Sequence, residues 1–275
     1  MEKHLRCIVP MLVALALSGC NLQTKMLYYP STDLPSKEAL AAHNIRFWPA
    51  PANYRGFVTT LPEQGVKGTI IVFHGNAGTA VDRVFYANNL APLGYRVVFA
   101  EYPAYGGRKG KPGEAVFVKD AHETLRLAFE QYGKPIFLLG ESLGCGVAAA
   151  AAREAPIPID GIILITPWDT LRSVAGEKFP WLPVRLFLTD KYDTVANLKL
   201  FRGNIAIAGA EQDEVIPLPH ALALYEALQG PKKLWVLKGA GHNNWPEFVG
   251  PTWWQGLADF LTGDGREQGA TKPLR

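Results

Sequence analysis

The chain is predicted to fold as an α/β domain, with a mostly parallel sheet covered by helices on both faces. Two observations carry this. Its strand-like stretches are continuous apolar runs rather than alternating ones, as in Gly68-Thr69-Ile70-Ile71-Val72-Phe73 and Ile136-Phe137-Leu138-Leu139, so both faces of each strand need cover. Helix-like stretches follow these strands in regular alternation, the pattern of crossover connections. The composition agrees: 275 residues, 48% hydrophobic and 19% charged, is ordinary globular material for one large domain or two small ones.

The elements run as follows. Residues 35–43 suit a short helix inside a spacer, and 44–49 with 55–60 read as an opening antiparallel pair. The apolar run 68–73 is a buried strand, 79–93 a helix, 95–100 a strand and 112–132 a helix. Strand 135–139 leads through a turn into helix 143–154, and 159–165 is the next strand. Strands 204–208 and 232–237 then alternate with helices 217–228 and 245–261, leaving a polar tail from Gly263 that is expected to be disordered. No internal repeat or low-complexity segment interrupts the pattern.

The N-terminus has the form of a targeting segment. Lys3, His4 and Arg6 give a positive start, and Cys7 to Leu17 is apolar but too short to span a bilayer as a helix. Leu17-Ser18-Gly19-Cys20 follows and resembles the bacterial lipoprotein box. That resemblance implies that residues 1–19 are removed. It further implies that Cys20 is acylated (palmitate among the expected groups) and that 20–43 serve as anchor and spacer. An ordinary secretory signal or an uncleaved anchor are the alternatives. Asn21, where an aspartate would signal otherwise, implies an exported, outer-membrane lipoprotein facing the periplasm if the host is Gram-negative. The net charge of +3 includes the cations of the segment to be removed. No lysine/arginine cluster suggests a nucleic-acid partner. Of three cysteines, Cys7 and Cys20 are committed to this segment. Cys145 is left as a small packing residue with no disulfide partner.

Ligands of parallel sheets bind at the carboxyl ends of the strands, and the loops there hold the candidate chemistry. Gly140-Glu141-Ser142-Leu143-Gly144 lies between a strand and a helix. A serine between glycines at that turn matches the nucleophile elbow, with a strained backbone that lifts the hydroxyl clear of the sheet. The helix that follows presents free N–H groups and its dipole to a negative charge. His74-Gly75-Asn76-Ala77-Gly78 follows another strand, Asp213 lies in the loop 209–217, and Gly241-His242 follows the last strand. Ser, Asp and His thus occur in that order, each at a strand's carboxyl end.

Rivals exist for each role. Among six histidines, His4 lies in the signal, His43 and His122 read as helix surface, and His220 as a solvated helix position. His74 is expected to shape its loop. For the acid, Glu211, Glu214 and Asp169 compete with Asp213, which is preferred for its place before Val215-Ile216-Pro217. Glu141 beside the elbow is expected to be buried and hydrogen-bonded. Neither H-E-x-x-H nor paired-cysteine spacing supports a metal, and no cofactor is expected.

With these pieces the chain resembles the α/β-hydrolase fold serine hydrolases, above all the Bem46-like branch with its ABHD17- and ABHD13-type members. The pieces are His74 to Gly78, Glu101-Tyr102-Pro103-Ala104-Tyr105-Gly106, Gly140 to Gly144, Asp213 and Gly241-His242, within residues 44–262. Relatives more often begin the second piece with aspartate and carry glycine in it. That loop lines the cleft in the family. The resemblance implies that Ser142 is a nucleophile, that His242 is its general base and that Asp213 orients the imidazole. It places an oxyanion hole at the backbone N–H groups of Leu143 and Asn76. The stretch 168–200, with Phe179, Trp181, Leu182, Val184, Leu186, Phe187 and Leu188, is long for a connection. It is either a short lid over an acyl group or a helix packed on the sheet.

The expected function is a membrane-tethered serine hydrolase acting as a monomer. It would cleave small-molecule or lipid carboxylic esters or thioesters through an acyl-enzyme. Amide hydrolysis of the aminopeptidase kind, and a non-catalytic binding module on the same fold, are the other two readings.

Overall fold

The computed structural model describes residues 23–263 apart from 63 and 185–187. The signal segment, Cys20, the tail beyond Gly263, and Leu186 and Phe187 therefore lie outside the described residues. The strands of the main sheet are β2 (Ile45–Trp48), β3 (Gly56–Thr59), β4 (Gly68–Phe73), β6 (Tyr95–Ala100), β7 (Ile136–Glu141), β8 (Gly161–Ile165), β9 (Asn204–Ala210) and β10 (Lys232–Leu237). Two further short strands, β1 (Tyr29–Pro30) and β5 (Ala77–Gly78), pair with each other apart from it. The main sheet has eight strands in the order β10-β9-β8-β7-β4-β6-β3-β2. All neighbouring pairs in it are parallel except β2 with β3 and β3 with β6.

The continuous apolar runs explain the two-sided core. Side chains alternate across a strand, so Ile71 and Phe73 join one cluster with Leu138, Ile162 and Ile207. Ile70 and Val72 join the other with Phe137, Leu139 and Ile163. The first face is covered by α3 (Glu114–Tyr132), α4 (Leu143–Arg153), α6 (Thr194–Leu198) and α7 (Leu218–Ala227). The second is covered by α2 (Phe85–Leu90) and α8 (Pro251–Thr262). Two more short helices are α1 (Lys37–Ala42), before the main sheet begins, and α5 (Leu171–Lys178), after β8.

Two predicted helices are split. The stretch 79–93 becomes a 3-10 turn, Ala80–Arg83, followed by α2. Thr79 and Asp82 form a capping box that tightens the turn, and the Ala80 N–H donates to the buried Glu101 Oε2 at 2.9 Å. Tertiary partners thus override a plain helical pattern. The stretch 245–261 breaks at Gly250, which is extended before Pro251, as the residue before a proline tends to be.

The expected spacer is structured where it is described. Residues 23–27 form a helical turn. Strand β1 then pairs in parallel with β5, Tyr29 opposite Ala77 and Pro30 opposite Gly78. The segment is part of the wall around the functional site.

Candidate active site

The elbow forms because the chain has no room for anything else there. Ser142 has φ 54° and ψ −117°, a conformation costly for a residue with a Cβ and held only by its surroundings. Its N–H donates to the Ile165 carbonyl at 3.0 Å. A Cβ at Gly144 would lie 1.9 Å from the Phe73 carbonyl oxygen, and one at Gly140 2.4 Å from the Gly144 carbonyl oxygen. Helix α4 therefore packs directly onto the end of β4, and Ser142 stands at its N-terminus.

The loops after β9 and β10 deliver the other two groups. These strands are neighbours, and their loops are laced together. Glu211 N–H donates to the Leu237 carbonyl at 3.0 Å and Gln212 N–H to the Ala240 carbonyl at 2.7 Å. The result brings Asp213 Oδ2 to 2.8 Å from His242 Nδ1, and His242 Nε2 to 3.0 Å from Ser142 Oγ. The Asp213 carboxylate also accepts the N–H groups of Val215 at 2.9 Å and Ile216 at 2.7 Å, which fix its orientation. All three residues are buried. A carboxylate accepts only, so Nδ1 carries the proton and Nε2 offers a lone pair to the serine hydroxyl. That is the protonation pattern general-base catalysis needs.

Glu214, a rival acid by sequence, has a different place. Its Oε2 accepts the His242 backbone N–H at 3.3 Å. Its own N–H and that of His242 hold its carboxyl below the usual carboxylate range. It supports the His242 loop from outside. Glu211 pairs with Lys238 at the surface.

The expectation of a solvated position for His220 is overturned. His220 is buried, with Nδ1 at 2.9 Å from Asp169 Oδ1 and Nε2 at 3.0 Å from Glu177 Oε2. The signal was available: His220 shares the buried face of α7 with Ala221 and Leu224, at helical spacing. Asp169 is thereby committed to His220 and to Ser173.

The loop 74–78 is propped from below. His74 is buried, with Nε2 at 3.0 Å from Glu101 Oε1. The hydroxyls of Tyr102 and Tyr105 donate to the His74 and Asn76 carbonyls at 2.8 and 2.7 Å. The resemblance places the 101–106 loop along the cleft. Instead Glu101, Tyr102 and Tyr105 are buried beneath loop 74–78, and none of them lines the cavity over Ser142. Ala104 takes φ 77°, in the left-handed region that glycine adopts more readily.

Glu141 is hydrogen-bonded as expected, accepting from Arg83 Nε and Tyr86 Oη at 2.7 Å each, but it is partly exposed rather than buried. Cys145 is buried, its thiol bonded to the Gly140 and Ile165 carbonyls at 3.1 and 3.2 Å. Burial pushes that thiol well above its ordinary pKa, so it packs and does not react.

Above Ser142 lies a cavity of about 470 Å³, a size that suits a small ligand. Asn76, Ser142 and Leu143 share its lining with Leu171, Val174, Phe179, Leu182 and Leu188 of the 168–200 stretch. That stretch roofs the cavity and packs on helix α4 rather than on the sheet itself, since Tyr192 is buried against Gly146 of α4. Residues Met26, Leu27 and Tyr29 form another wall, from a segment that the sequence pattern assigns to a spacer. Among the described residues, no three histidine, cysteine, aspartate or glutamate side chains are grouped so as to hold a metal ion.

Comparisons place this geometry among known proteins. The family model described as alpha/beta hydrolase fold matches residues 68–195. An uncharacterised protein of Mycobacterium tuberculosis is 28% identical over 264 residues, 91% of this chain and 93% of that protein. Lysophosphatidylserine lipase ABHD12 of Gallus gallus is 31% identical over 175 residues, 57% of this chain and 46% of the relative, so the chain spans about half of it. Among solved structures, a Pyrococcus furiosus esterase superposes with a TM-score of 0.66 at 17% identity, over 85% of this chain and 98% of the esterase. A Paleococcus ferrophilus monoacylglycerol lipase gives 0.55 at 20% identity, over 72% and 95%. Strand order, elbow and matched family model agree, and this chain has the α/β-hydrolase fold.

Proposed function

We propose that the protein is a membrane-tethered serine hydrolase that cleaves carboxylic esters or thioesters of apolar acyl groups. The observation that carries this is the chain of contacts Asp213–His242–Ser142, at 2.8 and 3.0 Å, which ends at Ser142 in the lining of an apolar cavity. The esterase and lipases among its relatives support the same class. The tether is an acylated Cys20, which makes the protein an exported lipoprotein; with Asn21 after it, the location is the outer membrane, facing the periplasm, if the host is Gram-negative. The motif pieces favour the Bem46-like branch.

The chemistry follows from the groups in place. Ser142 Oγ attacks the acyl carbon while His242 Nε2 takes its proton. Asp213 stabilises the imidazolium that forms. The N–H groups of Leu143 and Asn76 hold the oxyanion, where one donor is typically worth about a hundredfold to a thousandfold in rate. His242 returns the proton to the leaving oxygen or sulfur, leaving an acyl-Ser142 ester. Water, activated by the same imidazole, then releases the acid. The apolar cavity receives the acyl chain, and no cofactor enters any step.

The test is labelling of the purified protein by a fluorophosphonate probe, beside turnover of a nitrophenyl ester panel. Wild type labels and Ser142→Ala does not. Label retained in Ser142→Ala would remove Ser142 from the nucleophile's role.

A further inference from the structure

The wall formed by residues 23–30 is tied on both sides. Gln23 is buried, and its Oε1 accepts from Thr189 N–H at 2.6 Å, Thr189 Oγ1 at 3.0 Å and Asp190 N–H at 3.3 Å. Tyr28 Oη donates to Asp190 Oδ2 at 2.6 Å and meets Tyr192 Oη at 3.0 Å. On the other side, Asn76 Nδ2 donates to the Leu27 carbonyl at 2.9 Å. This segment therefore cannot swing away from the cavity without breaking contacts to the roof and to loop 74–78.

The cavity's mouth is apolar and open. Met26 and Tyr29 line the cavity, yet are 44% and 53% exposed, so they sit on its rim. Val215 does the same at 42%. Trp181 extends this rim: it is 76% exposed, and its ring lies 6.4 Å from that of Phe179, which lines the cavity. Lys178 lines the same cavity and is exposed, and Lys25 is exposed beside Met26 in the chain. Exposed apolar groups gathered at one site mark an interaction surface. Tryptophan, tyrosine and lysine together suit the boundary between headgroups and acyl chains.

The length of chain before Gln23 decides the occupant. Gln23 is three residues from Cys20, a reach of at most about 11 Å. A lipid on Cys20 therefore holds the bilayer surface next to the cavity's wall. We infer that the rim of Met26, Tyr29, Trp181 and Val215 docks on the membrane that carries the anchor, so that the cavity opens into the lipid and takes its acyl chains directly from the bilayer. This deepens the proposed function and rests on its Cys20 anchor. Acyl chains on Cys20 hold the protein at the bilayer without orienting it, and the rim supplies a second contact that fixes orientation.

The experiment uses the full chain, purified and reconstituted into phosphatidylethanolamine–phosphatidylglycerol vesicles containing lipid brominated near the headgroup end of its chains. Bromine quenches wild-type tryptophan fluorescence, and Trp181→Phe loses most of that quenching. Quenching equal in both proteins overturns the proposal, because another face then meets the bilayer. Shielding of Trp181 from aqueous acrylamide without vesicles, growing with protein concentration, also overturns it, because the rim then covers a second copy. Trp181→Glu lowers turnover of a vesicle-embedded long-chain ester about tenfold, while turnover of soluble nitrophenyl butyrate stays within about twofold. Equal losses on both substrates count against docking. Ser142→Ala keeps the quenching and loses both turnovers, so a failure of the hydrolase reading is distinguished from a failure of docking. The mass of the N-terminal peptide reads the anchor separately.

Discussion

Two clusters in this molecule each bring together a serine, a histidine and an aspartate, and they differ in what the histidine faces. At the elbow, His242 has the Asp213 carboxylate on Nδ1 and the Ser142 hydroxyl on Nε2. One ring proton satisfies that arrangement, and a lone pair remains for the serine. In the second cluster, His220 has Asp169 on Nδ1 and Glu177 on Nε2. Both ring nitrogens face acidic oxygens, so neither is left as a base. The Ser173 hydroxyl there is held by Asp169 and by the Thr170 carbonyl, the latter at 2.8 Å. It sits in the first turn of α5, whose cap Thr170 accepts the Ser173 N–H, and it does not line the cavity. Ser142 instead stands at φ 54°, on the cavity floor. Residue types alone do not make a nucleophile; a free nitrogen, an unspent hydroxyl and a place for substrate do. The second cluster clasps α5, and with it the cavity's roof, to α7.

This contrast can be broken by mutation. Its sharpest form pairs the two serines. Ser142→Ala should lower ester turnover by about 10⁴-fold or more, while Ser173→Ala should leave it within about twofold. Comparable losses in steady-state rate would mean that the second cluster also takes part in turnover, and a larger loss in Ser173→Ala would mean that the clusters had been assigned the wrong way round. The aspartates come next. Asp213→Asn should cost about 10³ to 10⁴ in kcat by removing the acceptor that fixes the His242 tautomer. Asp169→Asn should cost less than about tenfold in kcat and instead lower unfolding stability by about 1–3 kcal/mol. Kinetics beside urea denaturation separates the two.

The helices that follow or carry these serines differ as well, and the expected effects are smaller. Gly144 lies where a Cβ would meet the Phe73 carbonyl oxygen at 1.9 Å, whereas the nearest neighbour at Gly176 is Val184 Cγ2 at 4.0 Å. Gly144→Ala should destabilise the protein by about 3 kcal/mol or more. Gly176→Ala, in the interior of α5, should stabilise it by about 0.5–1 kcal/mol. Thermal unfolding measures both signs. A stabilised Gly144→Ala would show that α4 is not pressed onto β4 as described.

Much is legible in the residues themselves. Continuous apolar runs specify buried parallel strands because a strand covered on both faces has no polar side to display. A serine between glycines after such a strand specifies the elbow, because only glycine tolerates the carbonyls that crowd Gly140 and Gly144. The order of Ser142, Asp213 and His242, after β7, β9 and β10, is readable for the same reason: the carboxyl ends of parallel strands collect along one edge of the sheet. The breaks before Val84 and at Gly250 are not, since each depends on partners or on a proline that a periodic pattern averages over.

Tertiary structure alone decided the rest. Helical spacing puts His220 on the buried face of α7, but a sequence gives no separation between it and Asp169 or Glu177, so the partners that satisfy its ring are not readable. It gives no sign that residues 23–30, outside the alternating pattern, return to Asn76 and Asp190 to close a wall. Local pattern fixes which residues must be buried, because burial depends on each residue's own affinity for water. Which distant residues meet depends on how the layers pack, and that set both the partners of each histidine and the shape of the cavity.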